Sequence, residues 1–152
     1  MRLIFSNLDA QRRAGARLIA LLTALMVPVV IAAKLILGGG FLALGIASAG
    51  VALLGGLALR MNAAGSTGRA LSGVALMAQV SLLVAAVDGH AWQIDMHMAY
   101  FAALALLVVY CDWTVIAAAA ATVAVHHLGS ATSFRPPCSR ARPAWAGLSC
   151  TR

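Results

Sequence analysis

Charge is scarce in this sequence of 152 residues: only 10% of its side chains are Asp, Glu, Lys or Arg, against about a quarter in a soluble domain. With 62% hydrophobic side chains and a mean hydropathy of +0.94, water cannot be its main solvent, which excludes an ordinary soluble domain. Cysteine is scarce as well. Cys111, Cys138 and Cys150 form neither a CxxC pair nor an even set, so neither a disulfide framework nor a cysteine-built zinc site is expected. HExxH, a nucleophile elbow and paired carboxylates are missing, and Gly38-Gly39-Gly40 lacks the Lys-Ser/Thr of a phosphate-binding loop. No enzyme is expected from such a chain. The eleven basic residues and the net charge of +7 do not gather with aromatic partners as a nucleic-acid interface requires. They fall in the gaps between apolar runs, so nucleic acid is not an expected partner and the charge reads as membrane topology.

What the sequence does hold is long apolar runs. They predict an all-α fold, a polytopic transmembrane helix bundle of about five spans, whose first partner is the lipid bilayer. Residues 1–17 carry Arg2, Arg12, Arg13 and Arg17 and are expected to be a cytoplasmic basic segment forming a short amphipathic helix at the membrane surface. The run after it is longer than a signal-peptide core and has no cleavage site in the expected place, so it reads as a retained anchor. Spans are expected at 18–37, 41–59, 70–87, 96–110 and from 114 past His126, making 18–128 one transmembrane region. Pro28 is tolerated in the first span, and Lys34 is placed to reach the far interface. The glycine triplet at 38–40 supplies a tight turn. In the second span Ser48, Ala52 and Gly56 fall four apart on one stripe, a spacing that lets helix backbones approach inside the bundle or in a dimer.

The distribution of basic residues orients the chain. Four Arg precede the first span, and Arg60 and Arg69 flank the second loop, whereas residues 88–95 carry no Lys or Arg. The positive-inside rule then puts the N terminus in the cytoplasm. Residues 88–97 face outside, and the Cys111-Asp112-Trp113 turn faces the cytoplasm, with Trp92 and Trp113 as interfacial anchors at the two surfaces. The last 24 residues, 129–152, bring Arg135, Arg140, Arg142 and Arg152 to the wrong side and lack hydrophobic period. They are expected to be an irregular tail derived from a frameshift near Thr132, and a product so truncated is expected to accumulate poorly.

All four histidines, His90, His97, His126 and His127, and two of the four acids, Asp88 and Asp95, lie toward the same expected membrane face. Ionisable groups that converge beside spans are candidates for function. His97, one of His126 or His127, and Asp95 or His90 would make a nitrogen and oxygen ligand set suited to Zn, Cu, Ni or Fe, or a haem site. His126 and His127 are about 100° apart on their helix, so only one of them can point fully inward. Proton sensing by these imidazoles is the non-metal alternative.

Residues 89–128, with the segments QIDMHM, Tyr-Cys-Asp-Trp and His-His-Leu, resemble the membrane-embedded N-terminal region of a group of bacterial methyl-accepting chemotaxis proteins. Residues 1–88 are compatible with that pattern. The resemblance singles out Asp95, His97, Asp112, His126 and His127. It implies a receptor with several membrane spans and receptor-type homodimeric association, followed by a HAMP-type relay and a methylated coiled coil that controls a histidine kinase. A last span, the relay and the coiled coil do not follow Leu128 here, so a sensory membrane region separated from its output is expected. The alternative is a small transporter or channel fragment in which the same histidines and acids line a path. A membrane anchor for another output, such as a cyclic-dinucleotide enzyme, is the third reading.

Overall fold

The computed structural model describes residues 2–62 and 65–133. They form α1 (Arg2–Ile36), α2 (Leu42–Asn62), α3 (Ser66–Ala86), α4 (Gln93–Leu107) with a 3₁₀ turn (Val108–Tyr110) at its end, and α5 (Trp113–Ser133). Five of these segments are long and apolar enough to cross a membrane. Helices are the form such sequences take in lipid, because each backbone N–H and C=O is then satisfied within its own segment. The protein is therefore an all-α, multi-pass membrane bundle. Its outward surface carries Ile46, Leu53, Leu54, Phe101 and Val125, each at least 65% exposed, which lipid tolerates and water would not.

The helices run up and down around α3. That helix is buried along 67% of its span, while the other four are buried along 22% or less. α3 packs against every other helix, α1 also meets α2 and the 3₁₀ turn, and α4 meets α5. The core joins Ala16 and Ile19 of α1, Met77 and Val80 of α3, Tyr100 and Leu107 of α4, and Val115 and Ala119 of α5. A smaller cluster of Val30, Leu83 and Ala86 continues it toward the far ends of α1 and α3.

Small residues set the closest approaches. A Cβ on Gly73 would lie 2.9 Å from Val115 Cγ1 and 3.4 Å from Leu107 Cδ1, so α5 and α4 close on α3 only because that side chain is missing. Gly73→Val is expected to cost about 1–3 kcal/mol by overpacking, whereas Gly56→Val, with nothing within 4 Å of its added Cβ, is expected to leave thermal stability in detergent unchanged. Equal shifts for the two variants would show that close packing at Gly73 is unimportant. The stripe on α2 is correspondingly corrected. Ser48 is fully buried and Ala52 half-buried, but the close contact is made by Gly55, whose added Cβ would lie 3.1 Å from Ala75 Cβ, and not by Gly56.

Residues 2–17 are corrected too. They do not form a separate surface helix but continue without a break into the first span, giving a helix of 35 residues. At 1.5 Å per residue this is about 52 Å, well beyond the ~30 Å hydrocarbon thickness, and its segment from Gln11 to Gly15 lies against the 3₁₀ turn at the end of α4. Gly15 makes room for Val109 there, since a Cβ would meet Val109 Cγ1 at 2.7 Å. α1 ends in a Schellman turn: Gly38 has φ +71°, its N–H donates to the Leu35 carbonyl, and the Gly39 N–H donates to the Lys34 carbonyl. The fourth helix begins at Gln93, three residues before the expected 96, and α5 stays helical through Ser133, so 129–133 are not irregular. The remainder of the expected frameshifted tail, 134–152, lies outside the described residues.

In mid-bundle, Gln79 ties α1, α2 and α3 together. Its Oε1 accepts the Ser48 hydroxyl at 2.7 Å, and its Nε2 donates to the carbonyls of Ser48 at 2.8 Å and Thr23 at 3.3 Å. All three residues are 1% exposed or less, and interhelical bonds of this kind replace the hydration that lipid cannot supply.

Candidate functional site

The two ends of the bundle are chemically different. At one end, where α1 and α3 begin and residues 111–112 lie, the groups are basic and locked. Asp112 follows Cys111, whose φ of +47° stops the 3₁₀ turn, and caps the start of α5: Oδ1 accepts the Thr114 N–H at 3.0 Å and the Thr114 hydroxyl at 2.6 Å. Oδ2 accepts Arg69 Nη2 of α3 at 2.6 Å, an ion pair whose side chains are only 7% and 11% exposed. These bonds hold the Asp112 carboxyl at a pKa of about 2, with the Thr114 hydroxyl first and Arg69 next among the causes. Ser72 donates to the Arg69 carbonyl at 2.8 Å, so the Tyr110 hydroxyl, 2.8 Å away, donates to Ser72. From α1, Arg12 Nε donates to the Tyr110 carbonyl and Gln11 Nε2 to the Val109 carbonyl, each at 3.2 Å. These donors cap the negative end of α4. Trp113 beside them is 78% exposed, as an interfacial ring should be.

The opposite end carries the histidines. On α4 the Nδ1 of His97 lies 2.6 Å from the Gln93 carbonyl, and on α5 the Nδ1 of His127 lies 2.9 Å from the Val123 carbonyl. A carbonyl only accepts, so in each ring Nδ1 carries the proton and Nε2 of the neutral imidazole presents its lone pair. The two ring centroids are 5.8 Å apart. Tyr100 sits among the imidazoles, at 6.1 Å from His97, 6.3 Å from His126 and 5.9 Å from His127. Its hydroxyl donates to Ser81 at 3.0 Å, and Ser81 donates to the Met77 carbonyl at 3.0 Å, so the cluster is anchored on α3.

His126 borders the same cluster, its ring centroid 5.7 Å from that of His127. It lines a cleft of about 550 Å³ between the end of α3, the 87–92 turn and α5, together with Val84, Ala85, Asp88, Gln93 and Ser130. Gln93 secures the rim, donating from Nε2 to Asp88 Oδ1 at 2.9 Å and accepting the Gly89 N–H at 3.2 Å. Gly89, with φ +75°, supplies the reversal this clamp needs.

The expected ligand set is brought together only in part. His97 and His127 meet, but Asp95 is exposed in the first turn of α4, where its charge suits the helix's positive end. His90 is a turn residue: its Nδ1 accepts the Trp92 N–H at 3.2 Å, and its ring lies 4.9 Å from that of Trp92. Among the described residues no three His, Cys, Asp or Glu side chains converge to hold a metal ion, which corrects the expected three-donor centre. The physical reason is the helix itself, since Asp95 lies two residues before His97 and so on the far side of α4. Two features that sequence reasoning passed over are Tyr100 as the hub of the imidazoles and the Arg69 to Asp112 pair. The second had a signal: a cation at the edge of an apolar span is favoured by a nearby acid, and Asp112 is one of the two acids, with Asp9, at that end.

No protein-family model, curated protein or solved structure compared with the chain matches it.

Proposed function

We propose that this chain is the signal-input module of a bacterial transducer of the chemotaxis-receptor type, set in the cytoplasmic membrane with its N terminus inside and acting as a homodimer. The observation that carries the reading is the division of labour between the two ends. The histidine end has imidazole nitrogens, an acid and an open cleft, while the basic end is fastened through Arg12, Arg69, Tyr110 and Asp112. α3 joins them, contacting the cluster through Ser81 and the ion pair through Arg69. A change in α4 or α5 at the histidine end therefore bears on a rigid junction at the other, which is what an input device requires. A transport path is less well supported, because the polar side chains in mid-bundle, Gln79, Ser48 and Thr23, spend their hydrogen bonds on one another and on the helix backbone.

Cys111 is exposed at the junction and reports on it. In membranes holding a Cys138→Ser, Cys150→Ser variant, the alkylation rate of Cys111 is expected to change several-fold with at least one stimulus applied from the histidine side, whether external pH, transition-metal ions or amino acids. A constant rate across that panel, with a solute gradient dissipated in proteoliposomes, would replace the input reading with the transporter one.

A further inference from the structure

We infer that His97 and His127 form a two-histidine site for a single divalent transition-metal ion that bridges α4 and α5. The inference rests on the signal-input reading only for its consequence; the site itself rests on geometry. A ring-to-metal arrangement with a metal–nitrogen distance of about 2.0–2.1 Å puts each imidazole centroid about 3.2 Å from the ion. Two centroids 5.8 Å apart then subtend about 130° at that ion, an open angle that leaves positions for water. The rings are inclined at 75° to each other, so they meet without stacking face to face.

Tautomer and electrostatics agree with this. Both Nδ1 atoms are held by the carbonyl one helical turn back, the outer hydrogen bond that typically orients a metal-bound imidazole and fixes Nε2 as its ligand atom. Neither ring therefore needs a new tautomer to bind. Imidazole nitrogens favour Zn, Cu, Ni or Co over Mg and Ca. From the 87–97 segment and from α5 the nearby charged groups are Asp88 and Asp95, with no Lys or Arg. Lys34, the basic residue in the last turn of α1, lies along Gly39.

The ion would act where the bundle is weakest. α4 and α5 lean on α3 and touch each other little along their length, so a bond between His97 and His127 fixes a spacing that packing leaves loose. That spacing passes down both helices to the 3₁₀ turn and Asp112.

The test uses the full chain, purified with a tag free of histidine, in a Cys111→Ser, Cys138→Ser, Cys150→Ser background so that no thiolate competes. Co²⁺ is the probe, read by its visible d–d absorption and by equilibrium dialysis. One Co²⁺ per chain is expected, with imidazole-type bands. His97→Gln and His127→Gln, each checked for unchanged helicity, are expected to weaken binding by more than about tenfold, since even outer-sphere changes at metal sites cost that much. His126→Gln and His90→Gln are expected to bind as the parent does. Absence of saturable binding, or binding lost in His126→Gln and kept in His97→Gln, would overturn the site. A Cys111 response to pH or amino acids without Co²⁺ binding would remove the metal and leave the input module standing. Co²⁺ binding with a silent Cys111 would do the reverse.

Discussion

Asp112→Ala is expected to destabilise the bundle by about 3–5 kcal/mol, the usual consequence of removing one partner from a buried ion pair. The variant loses two functions at once. Arg69, 6% exposed, is left with a buried charge that the carboxylate no longer balances, and α5 loses its N-cap at Thr114, itself worth about 1 kcal/mol. Removing both partners, as in Arg69→Met with Asp112→Ala, is expected to cost less than the two single changes added together, because the guanidinium that the carboxylate balanced is then gone as well. Thermal unfolding in detergent, followed by helical circular dichroism, measures all three variants. A change below about 1 kcal/mol for Asp112→Ala would place this pair with ordinary solvent-exposed salt bridges.

The pH dependence of the same pair has a definite sign. The folded state lowers the Asp112 pKa from 3.8 to about 2. A depressed acid contributes its stability fully above the unfolded value and loses it as pH falls through the folded one. The junction is therefore expected to be intact at pH 5 and to weaken between about pH 4 and pH 2, and Asp112→Asn is expected to remove that acid transition from the unfolding curve.

The second large effect is expected at Tyr110, which is 0% exposed. Tyr110→Ala leaves a ring-sized cavity among Arg69, Ser72 and the end of α4, at an expected cost of about 3–5 kcal/mol. Tyr110→Phe keeps the ring and removes only the bond to Ser72, for an expected cost of about 1 kcal/mol. The comparison separates packing from hydrogen bonding in one junction. Similar losses for Phe and Ala would mean that the hydroxyl, and not the ring, holds the end of α4 in place. The carbonyl of Tyr110 still accepts Arg12 in both variants, so the α1 contact serves as an internal control.

How much of this was legible beforehand differs by level. The five spans, their order and the gathering of His97, His126 and His127 at one end follow from apolar length and the turn residues between runs. Lipid offers the backbone no partner, so any long apolar run must close its own hydrogen bonds as a helix. Register within those helices was not legible, because their apolar residues cover nearly every face and no stripe marks the inside. α3 betrays itself most, with Arg69, Ser72, Gln79 and Ser81 all buried, polar groups that would be costly against lipid.

The sequence by itself thus determined a multi-pass helical membrane protein with a basic end and a histidine end, since solvation alone dictates both. Tertiary structure alone decided that α3 is central, that Gly55 and not Gly56 makes the close contact, that Asp112 answers Arg69, and that His97 meets His127 while Asp95 and His90 stay apart. Those outcomes depend on the rotational phase of each helix. In a chain apolar on all sides, that phase is set by small-residue contacts and by pairing of the few polar groups, which a one-dimensional pattern does not encode.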